Sequence, residues 1–165
     1  MERTRGAVAS GHELTSKAAA EILEKGGNAF DAAIGACFAS CVVEFTLTSI
    51  GGSGFMTAYC GHDDKDYLFD FFVNVPGLGG KKKSKLDFFP VEVDFGTVTQ
   101  EFHIGFASIA VPGNVAGLFQ AHDKLGNLPI MEVMAPAIRY AKEGFTLNKM
   151  QARILKILEP IFTHY

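Results

Sequence analysis

Cysteine is scarce in this sequence of 165 residues, and the three present, Cys37, Cys41 and Cys60, are odd in number and lack any metal-finger spacing. No disulfide framework follows from them. Basic residues are outnumbered as well, 15 Lys and Arg against 18 Asp and Glu for a net charge of −3, which excludes a polybasic nucleic-acid binder. Long apolar runs are missing: the most continuous one, residues 29–43, contains Asp31 and is too short to span a bilayer. No internal repeat and no linker-rich stretch marks a second domain. At 48% hydrophobic and 20% charged residues, the composition is that of a folded chain. It predicts a single domain over residues 1–165 with a sizeable core. Lys81, Lys82, Lys83 and Lys85 cluster around Ser84 without interleaved aromatic residues, the pattern of a solvated loop.

What is present is organised around residues 42–55, where a buried-looking helix gives way to Gly51-Gly52-Ser53-Gly54 and then to a strand. Three glycines in four positions permit backbone angles that other residues avoid and allow another backbone or a ligand to approach closely. A phosphate loop is excluded, because no Lys-Ser/Thr follows the glycines and the next element is not a helix. A tight helix-to-strand connection is the plain reading.

Taken in order, residues 7–10 read as a short strand and residues 14–25 as a helix, wet along Lys17, Glu21 and Glu24 and dry along Ala18, Ile22 and Leu23. Gly26-Gly27 ends it, and Asn28 caps a second, Ala-rich helix with Asp31 three residues on, so that helix reads as central and buried. Cys37 and Cys41 share a face of it and read as core packing rather than half of a metal site. Residues 54–60 and 67–73 read as strands of a hairpin whose polar connection, with His62 beside Asp63 and Asp64, is a solvated turn. Phe69, Phe71, Phe72 and Val73 make the second strand apolar on both faces, which predicts a sheet covered on both sides and a layered α/β fold.

Residues 87–95, 97–102 and 106–111 read as further strands, the first demoted to an edge or a bulge by Pro90. Pro112 presets a helix with Val115, Leu118, Phe119, His122 and Leu125 on its apolar stripe. His122 reads as a core or boundary histidine, because no Ser, Cys or acidic residue has a motif-based claim on it. Ile130, Val133, Met134, Ala137, Ile138 and Ala141 mark another helix, with a kink or split expected at Pro136. Residues 148–158 form the last, with Met150, Ile154, Ile157 and Leu158 inside and Pro160 halting it.

Several blocks in one order carry a resemblance. Gly6-Ala7-Val8-Ala9-Ser10 and His12 are followed by residues 20–33 with Gly26-Gly27-Asn28-Ala29-Phe30-Asp31-Ala32-Ala33, then by residues 42–55. Val111-Pro112-Gly113-Asn114-Val115-Ala116-Gly117 comes next, and Leu128-Pro129 through Ala135-Pro136-Ala137-Ile138-Arg139-Tyr140-Ala141 closes with Glu143-Gly144-Phe145. Together they resemble the N-terminal part of the large subunit of the gamma-glutamyltransferase (gamma-glutamyltranspeptidase) family, most weakly over residues 76–106.

The resemblance implies an N-terminal nucleophile hydrolase, two sheets between helical layers (an αββα sandwich) of which this chain would supply part. Such enzymes cleave themselves into a large and a small subunit, and the threonine exposed at the new N-terminus takes the γ-glutamyl group of glutathione or a related amide as an ester. That threonine is expected downstream of these blocks, in a missing catalytic subunit or C-terminal part of the same precursor. No catalytic residue is therefore expected among residues 1–165, the resemblance to a Thr-His motif at Thr163-His164 reads as chance, and this piece alone is expected to be inactive and to self-associate. No metal and no cofactor is implied, nor a nucleic-acid or membrane partner. Residues 1–5 do not read as a signal peptide, yet members of the family are often exported, so the compartment is left open.

One position departs from the pattern. The family commonly carries an arginine after the Asp-Phe of the second hairpin strand, where its planar fork grips the α-carboxylate of the γ-glutamyl group. Here Asp70-Phe71 is followed by Phe72, which is the candidate substrate-binding position and can donate no such hydrogen bond. Plain strand packing also accounts for a phenylalanine there. Three readings compete: a γ-glutamyl hydrolase or transferase, an acylase-like relative acting on another amide, and a non-catalytic binding module. The first fits the blocks best.

Overall fold

A computed structural model describes residues 6–77, 79–80 and 86–164. The lysine cluster at positions 81–85 and residues 1–5 lie outside the described residues. The chain divides into two compact units, residues 1–73 with 112–145, and residues 74–111 with 146–165.

The first unit is built on two helices joined by two glycines. Helix α1 spans Glu13–Glu24, with the His12 ring accepting from the Leu14 N–H at its start, and buries Thr15, Ala18, Ala19 and Ile22. Gly26 takes a φ of 92°, and the Gly27 N–H returns to the Ile22 carbonyl at 3.0 Å, which closes the helix as its Gly-Gly pair predicts. Helix α2, Ala29–Val43, opens on the expected capping box: the Asn28 side chain accepts from the Asp31 N–H, and Asp31 accepts from the Asn28 N–H. Its Ala and Gly positions let α1 and a later helix, α4 (Ile130–Glu143), approach closely; a Cβ on Gly35 would lie 2.1 Å from the Ile22 side chain.

Asp31 does more than cap. Its carboxylate is fully buried and also accepts the backbone N–H groups of Asn127 at 3.0 Å and Leu128 at 3.2 Å, while the Asn28 amide donates to the Leu125 carbonyl at 2.7 Å. One acidic side chain thus holds the start of α2 against the turn between α3 (Asn114–Leu125) and α4 (Ile130–Glu143). Leu118 and Ala121 of α3 and Val133 and Ala137 of α4 complete the core around Ile22, Ile34 and Phe38. Pro136 does not split α4: it is buried inside one continuous helix.

Strands β1 (Gly54–Cys60) and β2 (Lys65–Phe71) form an antiparallel hairpin, with Gly54 opposite Phe71 and Cys60 opposite Lys65. His62, Asp63 and Asp64 sit exposed in its turn, as expected. The sheet is covered on one face only. Met56, Tyr67, Phe69 and Phe71 pack toward the core, whereas Phe55, Tyr59, Leu68 and Phe72 are exposed, so the expectation of cover on both sides is not met within this chain.

In the second unit β3 (Phe89–Asp94) and β4 (Thr99–Ile104) form another antiparallel hairpin, both strands of which are edges, as Pro90 allows. Helices α5 (Lys149–Ile157) and α6 (Glu159–Phe162) belong to the same unit. Several local expectations are corrected. Residues 7–10 form no strand, because no neighbouring strand is there to pair with them among the described residues. Residues 106–111 are a short 3-10 turn at Phe106–Ser108 followed by a single bridge from Val111 to Asn74. The helix predicted over 148–158 does end ahead of Pro160, at Ile157, but Pro160 then sits in the first turn of a further short helix, α6, a position where a missing N–H costs nothing. Met150 is exposed, and Cys37 lies on the outer side of α2 rather than in the core.

Two predictions follow from this packing. Asp31→Ala strands the N–H groups of Asn28, Asn127 and Leu128 in the interior and is expected to destabilise the fold by about 3 kcal/mol, measured by urea unfolding. The second concerns acid. Arg139 donates two hydrogen bonds to Glu21 and Lys25 a third, and these hold the Glu21 carboxyl at about 2, below its ordinary 4.5. A folded value below the unfolded one gives stability that is present above the unfolded pKa and is lost as pH falls toward the folded one. Glu21→Gln is expected to flatten the stability curve between about pH 4.5 and about pH 2, read as urea midpoints across that range.

Candidate functional site

The glycine turn is tied to the start of α3 through backbone groups. The Gly52 N–H donates to the Ser49 carbonyl at 3.0 Å, and the Gly52 carbonyl accepts from the N–H groups of both Gly113 and Asn114 at 3.1 Å. Asn114, buried, donates its side-chain amide to the Ser49 carbonyl at 2.7 Å. The turn therefore spends its polar groups on the fold, in keeping with the plain reading of its glycines as a tight connection.

The same helix start grips the end of β2. A Cβ on Gly113 would fall 2.0 Å from the Phe71 carbonyl oxygen, and one on Gly117 would fall 2.2 Å from the Phe71 ring. Only glycine at both positions lets the helix press this closely on the strand. Phe71 is thereby fixed, and so is the residue after it. The Phe72 N–H donates to the Asp70 carboxylate at 3.0 Å, and the Phe72 ring lies stacked on Phe55 of β1, centroids 5.3 Å apart and 11° from parallel. Both rings stay more than half exposed, 56% for Phe72 and 59% for Phe55. The candidate substrate-binding position is thus one half of a held, exposed aromatic pair beside the glycine turn.

Other residues weighed from the sequence are not brought to this place. His62 is at the far end of the hairpin. His122 lies 2.8 Å from the Leu128 carbonyl and 3.9 Å from Asp31, an acidic neighbour that sequence spacing did not disclose. Both belong to the α3–α4 turn. Cys41 contacts Thr48 and Asn114 at 3.9 Å, and burial pushes its thiol pKa up, the opposite of an activated nucleophile. Thr163 donates its hydroxyl to the Glu159 carbonyl at 2.8 Å, an ordinary helix-end bond. No cluster of three metal-ligating side chains occurs among the described residues. Phe55, Gly113, Asn114 and Gly117 were not singled out as site-forming by sequence. The only signal for the last three is the Pro-Gly-Asn-Val-Ala-Gly spacing, whose meaning depends on the strand it meets.

The gamma-glutamyltranspeptidase family model matches residues 15–165. The chain belongs to the gamma-glutamyltranspeptidase family. It is 40% identical over 147 residues to a glutathione hydrolase proenzyme of Pseudomonas aeruginosa, covering 88% of this chain and 25% of the relative. It is 34% identical over 145 residues to the acylase ACY 1 proenzyme of a Pseudomonas strain, covering 88% of this chain and 26% of that protein. The gamma-glutamyltranspeptidase of Helicobacter pylori superposes with a TM-score of 0.79 at 29% identity, covering 100% of this chain and 45% of that one. The fold is accordingly the α/β fold of the family, and the chain spans about a quarter of the length of the curated relatives it matches. Those relatives are proenzymes by name.

Within the family fold, the closeness of α3 to β2 makes a sharp prediction. Gly117→Ala places a methyl group inside the Phe71 ring and is expected to cost about 1–3 kcal/mol of stability by overpacking. Ala116→Gly, on the exposed side of the same helix, is expected to cost about 1 kcal/mol through helix propensity alone. Unfolding of Gly117→Ala with Phe71 shortened to Leu, which makes room for the methyl, is expected to recover part of the loss.

Proposed function

We propose that residues 1–165 are a single N-terminal portion of the large subunit of a gamma-glutamyltranspeptidase-family enzyme that hydrolyses or transfers an acyl group from an amide through a threonyl ester. The observation that carries this reading is the family match across residues 15–165, with relatives named glutathione hydrolase proenzymes. On this reading the nucleophile lies outside these residues. A threonine hydroxyl, its proton drawn off by the α-amine freed in self-cleavage, adds to the amide carbonyl. The amine leaves with a proton, the ester remains, and water or an amino acid takes the acyl group and restores the hydroxyl. Preorganised donors hold the negative charge that develops on the carbonyl oxygen.

A γ-glutamyl amide such as glutathione is the substrate that the relatives' names favour, and Phe72 is the position in this chain that would face its α-carboxylate. A second reading, an acylase-like enzyme for another amide, is favoured by that same residue, since a phenyl ring carries no donor for a carboxylate. The exposed face of the β1–β2 hairpin, with Phe55, Tyr59, Leu68 and Phe72, is where a catalytic subunit or the rest of the precursor would pack, and it is the surface through which this chain alone would self-associate.

Intact-mass analysis of the protein from its natural source tests the reading. The expected result is a companion chain whose first residue is threonine, together with turnover of an acyl anilide. A source that yields only a chain of this mass, with no longer precursor and no turnover, would move the assignment to a binding module.

A further inference from the structure

We draw no further inference here: the strongest candidate, the half-buried Glu44 carboxylate at the C-terminal end of α2, accepts the Thr15 hydroxyl at 2.6 Å without an ion-pair partner among the described residues, and nothing in the structure shows what else covers it.

Discussion

The contact on which the glycine turn and the end of β2 both depend is the pressing of the α3 start against Phe71. Gly113 and Gly117 bring a helix to within a Cβ's width of a strand, and the Gly52 carbonyl binds the first N–H groups of that helix. Turn, strand end and helix start therefore move as one body. Whatever follows Phe71 inherits that rigidity, and whatever precedes Gly54 is fixed by the same bonds. A larger residue at either glycine would separate the helix from the strand, and with it the aromatic pair from the turn.

Asp31 plays the corresponding part at the other end of the α-helical layer. A buried carboxylate is expensive unless every lone pair is used, and here backbone N–H groups from three residues converge on it. The consequence is that the Gly-Gly-Asn-Ala-Phe-Asp stretch acts at two distances. Locally it ends one helix and starts the next; across nearly a hundred residues it fastens the α3–α4 turn, which sets where α3 runs and hence where Gly113 meets Phe71.

How much of this was legible in the sequence depends on the range of the interaction. The capping of α2 by Asn28 and Asp31, the Gly-Gly helix stop and the polar hairpin turn follow from spacing within a few residues, and the structure shows all three. Residues 7–10 and 106–111 were misread as strands, because short apolar runs do not reveal whether a partner strand exists. The inward face of α3 was half misread: Val115 and Phe119 are exposed while Asn114, Gly117 and Ala121 are buried, since the helix packs by close approach rather than by bulk. Asp31 as a tertiary anchor, and Phe55 as the neighbour of Phe72, depend on pairings that no local pattern contains. The family blocks bridged that gap for the fold, because they encode the outcome of those pairings without displaying them.

The residue after Phe71 sets which charges stand at the end of β2. An arginine at the end of β2 would bring a delocalised cation with two parallel donors to a place that otherwise holds the Asp70 carboxylate, and the two would neutralise one another in the absence of ligand. In this chain the Asp70 carboxylate accepts from the backbone N–H of Phe72, and the Phe72 ring lies on Phe55. The end of β2 therefore carries an apolar ring pair beside the Asp70 carboxylate, and the acid holds the backbone of one of the two rings.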